Sequence, residues 1–200
     1  HPYPQTPIYG RNTWFAKDNF EGYTNGNESY YLTRPMLSLA YQAIKKRLND
    51  AIPEISGRIH WYNSLLTDDH AEPVFQTPTI FVEFGETQLY ELKGYPNKRL
   101  QGGRLSFSIH CIEQFNYDDD AVLNALSITN KVYQALHKRD FKLSELPAFE
   151  TLPGTNKDLV LLSTIVRTAV SADHRHVNLT DSVVRFSCEV IDISDPNLKF

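Results

Sequence analysis

Leu105-Ser-Phe-Ser-Ile-His-Cys-Ile112 sets Leu105, Phe107, Ile109 and Cys111 against Ser106, Ser108, His110 and Ile112, step by step along the chain. A period of two sends successive side chains to opposite faces of an extended backbone, so this stretch reads as a strand with one face on the core. A few residues later the period lengthens. From the acidic run Asp118-Asp-Asp120 to Leu136, the stripe Val122, Leu126, Thr129, Val132, Tyr133 and Leu136 recurs at helical spacing. Carboxylates at its head suit the positive end of the helix dipole, and Lys131, Lys138 and Arg139 fall toward the other end. The acidic run therefore has a structural explanation before any magnesium site is invoked.

Upstream, Pro78-Thr-Ile-Phe-Val-Glu-Phe84 is β-branched and aromatic, and apolar on both faces at several positions. Gly57–Tyr62 is a shorter strand candidate, separated from it by a polar loop that holds Asp68, Asp69 and His70. Residues 85–103 contain Gly94, Pro96 and Gly102 and are expected to form a long connection. An earlier helix is signalled by Thr33 as cap and Pro35 in the first turn, with Leu37, Tyr41, Ile44, Leu48 and Ile52 as its stripe. Lys45, Lys46 and Arg47 fall on its outer side, and Pro53 ends it. Downstream, a proline-containing loop over 140–157 leads to two last strands, Leu159–Val170 and Val183–Ile193. In the latter, Val184, Phe186, Cys188 and Val190 alternate with Arg185, Ser187 and Glu189. The order of elements predicts an α+β fold, a largely antiparallel, mixed sheet with two amphipathic helices on one face.

Residues 1–33 stand apart as an extended arm, with residues 34–200 as the folded domain. The arm mixes Pro, Gly and Asn with Trp14, Phe15, Tyr30, Tyr31 and other rings. A disordered tail is normally poor in aromatics, so these rings are expected to pack, either on their own domain or on a neighbour.

Composition narrows the function classes. Twenty Lys and Arg against 24 Asp and Glu leave a formal charge of -4, which does not favour retention of a polyanion such as DNA. The two cysteines, Cys111 and Cys188, lie inside strand patterns without metal-type spacing and read as small buried thiols. No run approaches the roughly 18 apolar residues of a membrane span, and a charged-then-apolar leader pattern is missing from the first residues.

The sequence contains no phosphate loop, dinucleotide fingerprint, G-x-S-x-G, H-E-x-x-H or paired CxxC. His174 and His176 beside Asp173 have a spacing that suits a metal, yet they sit in a polar hairpin connection, the simpler reading. Asp68, Asp69 and His70 are read in the same way as a solvated loop. His60 next to Trp61 offers two rings for a sugar or base, with strand alternation as the plain alternative. Lys93, Lys98, Arg99 and Arg104 cluster around Tyr95 and suit an acidic partner surface. No catalytic residue, metal ligand or cofactor is assigned.

From Leu37 to Ile191 the pattern resembles the tail-terminator and tail-completion proteins of tailed bacteriophages. The features that carry the resemblance are the helix closed by Ile52-Pro53, the strand Pro78–Phe84, the stretch Arg99-Leu-Gln-Gly-Gly-Arg-Leu-Ser-Phe-Ser-Ile-His110, the helix Ala121–Leu136 and the closing strand pair. The resemblance implies a non-enzymatic virion protein, assembled in the host cytoplasm: a ring of six copies that caps the tail tube and joins it to the neck or head. DNA would only pass through, and no membrane is involved. A long arm departs from the compact terminators, which keeps a neck, adaptor or baseplate role open beside a carbohydrate-binding module. Lys93, Lys98, Arg99, Arg104, Trp14, Phe15, Tyr30 and Tyr31 are the expected contacts with partners or sister subunits.

Overall fold

Two long strands, β4 (Gln101–Gln114) and β7 (Leu179–Asp192), pair antiparallel along their whole length and form the spine of the sheet. The computed structural model describes residues 36–62, 75–92, 101–114, 119–146, 159–173 and 179–192. In the register of this pair Phe107 lies opposite Phe186, and their rings stack 5.3 Å apart. Leu105, Ile109, Cys111, Val184, Cys188 and Val190 share that face, and all are buried. Around the spine the strands are ordered β1-β2-β4-β7-β6-β5, where β1 is Ile59–Trp61, β2 Thr79–Phe84, β5 Phe141–Lys142 and β6 Val160–Asp173. The β1–β2 pair is parallel and the others are antiparallel, so the sheet is mixed, as the order of elements predicts.

Both helices cover the face that carries Phe107 and Phe186. α1 (Met36–Ala51) buries Leu39, Ala40, Ala43, Ile44 and Leu48, and α2 (Asp119–Leu136) buries Ala121, Ala125, Ile128, Thr129, Val132 and Leu136. In each helix the later members of the expected stripe are buried, Ile44, Leu48 and the following Ile52 in the first and Thr129, Val132 and Leu136 in the second, while the seam turns away from the earlier large residues. Leu37 and Tyr41 are only half-buried, and Leu126 is 43% exposed. Alanine explains the shift: it adds little to an apolar stripe read by size, yet it permits the closest approach of backbones and so marks where contact occurs. Arg47 also departs from expectation. Its guanidinium donates 2.7 Å hydrogen bonds to the Asp140 carbonyl and the Glu145 carboxylate and lies 4.8 Å from the centre of the Phe141 ring.

Residues 85–103 are not one connection. β3 (Gln88–Glu91) pairs with the start of β4, placing Leu89 opposite Gly103 and Tyr90 opposite Gly102. From Phe84 to Gln88 the outer strand advances four residues while β4 advances three, from Phe107 to Arg104, so β3 continues β2 beyond a bulge. Gly102, which suggested a break, serves this pairing instead, as does Gly103. A Cβ on Gly103 would stand 2.8 Å from Leu89 Cδ2 and 2.9 Å from the Gln88 carbonyl oxygen. The expected loop from 140 likewise begins with structure: β5, then a 3-10 turn over Leu143–Glu145, with Phe141, Leu143 and Leu146 in the core.

On the opposite face of the sheet Phe81, Ile112 and Leu179 form a second apolar cluster, closed by Tyr62 and Phe75. The second face of the Pro78–Phe84 segment is thus covered by this chain's own rings. The arm 1–33, the Asp68, Asp69 and His70 loop, Asp118, His174 and His176 lie outside the described residues.

Candidate functional site

The most concentrated polar chemistry on the described surface is a ladder across three strands of the helix-free face. Alternation along β4 turns His110 away from Cys111 and onto this face, where it is 8% exposed. Its Nδ1 stands 2.8 Å from Asp181 Oδ2 on β7, and its Nε2 stands 3.1 Å from Glu83 Oε2 on β2. The Tyr62 ring lies 4.7 Å from the imidazole. Burial lowers the affinity of His110 for a second proton, but the hydrogen bonds and charges of Asp181 and Glu83 outweigh it and raise the pKa above the ordinary histidine value. The raised pKa favours the imidazolium, in which both ring nitrogens donate, one to Asp181 and one to Glu83.

This arrangement clamps strands rather than activating a nucleophile. In a hydrolytic triad the outer imidazole nitrogen faces a hydroxyl or thiol; here Glu83 occupies that position. Nor do the three groups converge on one point, because the carboxylates sit on opposite ring nitrogens and the imidazole stands between them. Asp181 Oδ1 is buried without a hydrogen-bond partner among the described residues. The two thiols are chemically quiet: burial pushes Cys111 and Cys188 up to about 12.

Of the residues expected to make contacts, Arg104 lies within the described structure, whereas Lys93, Lys98, Arg99, Trp14, Phe15, Tyr30 and Tyr31 lie outside it. Arg104 is exposed on β4, 3.8 Å from Glu189 of β7, and Tyr90 of β3 donates its hydroxyl to the same carboxylate. It borders an open depression of about 400 Å³ lined mainly by Ser163, Thr164, Thr168, Ser187 and Glu189. His60 and Trp61 do not share a pocket. Strand alternation sends His60 toward Phe81 on one face, and Trp61 toward Tyr41 and Phe84 on the other.

Two groups of residues escaped the sequence reading. The first is the Glu83–His110–Asp181 ladder, whose only local signal is a histidine on the polar side of an alternating strand. The second is a set of large apolar side chains left between 39% and 60% exposed: Trp61, Leu89, Tyr90, Leu123, Leu126, Val166 and Val170. Among the described residues no helix is long and apolar enough to cross a membrane.

No protein-family model matches the chain, and no curated protein sequence matches it. Among solved structures, a chain of the virion of a native gene transfer agent particle is similar over 78% of this chain and 97% of its own length, at 13% identity and a TM-score of 0.46.

Proposed function

We propose that this chain is a structural subunit of a tailed-phage virion, a ring-forming tail terminator or tail-completion protein that caps the tail tube and joins it to the neck or head. It works by assembly and not by turnover. The observation that carries this reading is the set of seven large apolar side chains exposed among the described residues. Scattered apolar residues are ordinary on a surface, but these gather at the lateral borders of one sheet, where a sister subunit would remove them from water. The order and spacing of elements from Leu37 to Ile191 add the tail-terminator resemblance. On this reading six copies close the ring, the aromatic arm with Trp14, Phe15, Tyr30 and Tyr31 adds contact area between them, and the basic residues Lys93, Lys98, Arg99 and Arg104 meet the tube or neck.

Negative-stain microscopy of the purified protein, with sedimentation across a concentration series, tests the proposal. Annular particles with a central hole and a sedimentation coefficient that rises with concentration are expected. A strict monomer at every concentration, without annuli, overturns it.

A further inference from the structure

The exposed apolar residues divide between the two opposite borders of the sheet. Trp61 belongs to β1, the first strand in the order, and Leu89 and Tyr90 to β3, which pairs with β4 on the same side as β2. At the far border, β6 carries Val166 and Val170, and α2 carries Leu123 and Leu126. These two elements adjoin. The Arg167 guanidinium stacks 3.9 Å from the Tyr133 ring, and the Arg167 amide donates to His137 Nδ1 at 3.2 Å. Leu126 precedes Tyr133 by seven residues, two helical turns, and therefore lies on the flank of α2 that faces β6, with Leu123 one turn earlier and rotated further toward solvent.

Both borders also expose strand edges. Among the described residues no strand pairs with the outer edge of β3, and the edge of β6 that faces away from β7 is paired only by β5 and the 138–140 turn. Unpaired edges with apolar side chains invite strand addition, which folded proteins ordinarily suppress with charge or cover. The charges here are complementary. Glu86 and Glu91 are exposed around β3, whereas Lys138, Arg139 and Arg167 are exposed around the β6 border; the two exceptions, Arg104 and Asp140, are engaged within the subunit by Glu189 and Thr164. A border meeting its own copy would bring like charges together; a border meeting the opposite one would pair them.

We infer that copies of this chain join head to tail, the β1–β3 border of one subunit docking against the α2–β6 border of the next. Unlike surfaces in contact generate rings or helical filaments instead of two-fold dimers, so this inference deepens the ring reading above and rests on it.

The test uses the full chain with Leu89→Arg at one border and Val170→Arg at the other, both at exposed positions, with circular dichroism to confirm folding. Each variant alone is expected to stay monomeric where the wild type assembles. Mixed in equal amounts they are expected to form dimers and nothing larger, because each supplies one intact border. Wild-type-like assembly by either variant overturns the inference, as does dimerisation of one variant alone or no association on mixing, and each of these leaves the ring reading standing. A wild type that never assembles overturns the ring reading and this inference together. Should Leu89→Arg misfold, Glu86→Lys/Glu91→Lys changes only exposed side chains and is expected to weaken assembly at least tenfold; unchanged assembly overturns the inference.

Discussion

His110 shows how one side chain can tie three strands. Its ring bridges Asp181 and Glu83, and removing it leaves two carboxylates without their shared donor on a largely buried face. Loss of one partner from a buried ion pair costs about 3–5 kcal/mol, a range to be discounted here because Glu83 is partly exposed to solvent. We expect His110→Gln to lower stability to urea by about 2 kcal/mol. The pH dependence has a definite sign. Because the folded-state pKa of His110 is raised, its stabilising effect is complete below the ordinary histidine range and is lost as pH rises through the higher folded value. Thermal melts of the wild type between pH 6 and pH 9 should therefore fall relative to those of His110→Gln. Parallel curves would show that the imidazolium contributes nothing.

At the scale of elements, β3 depends on what Gly103 lacks. The missing Cβ leaves room for the Leu89 side chain and the Gln88 carbonyl oxygen, both closer than 3.0 Å to where it would stand. Backbone cannot move aside as the end of a long side chain can, so Gly103→Ala is expected to push β3 off β4 at a cost of about 1–3 kcal/mol. Hydrogen exchange should then show faster exchange at residues 88–91 with β4 and β7 still protected, and unchanged protection there would refute the steric account. The helices teach a related lesson. Their existence and the burial of Ile44, Leu48, Val132 and Leu136 were legible from apolar spacing, but their final rotation was not, because the buried seams also run through Ala40, Ala43, Ala121 and Ala125. Packing selects the face that approaches most closely, which is not always the face richest in large residues.

For the whole molecule, the division between core and border decides which apolar residues matter to folding. Leu123 and Leu126 contribute little to the buried core, so Leu123→Ser/Leu126→Ser should change monomer stability by no more than about 0.5 kcal/mol. The same variant should weaken assembly measured by sedimentation. A large loss of monomer stability would instead place these leucines in the fold's own packing. The α+β class, the mixed sheet and the placement of both helices on one face were all readable, because alternation and helical spacing are properties of consecutive residues.

The amino-acid sequence by itself determined the strands around Phe81, Phe107 and Phe186, the two helices and the burial of both cysteines, since each follows from a period within a short window. Only the tertiary structure decided that β3 extends β2, that His110 meets Asp181 and Glu83, that Arg47 braces the Phe141 turn, and that the exposed apolar residues collect at two borders. Those contacts join residues dozens of positions apart, and their pairing is set by sheet register and backbone approach, quantities that no local pattern encodes.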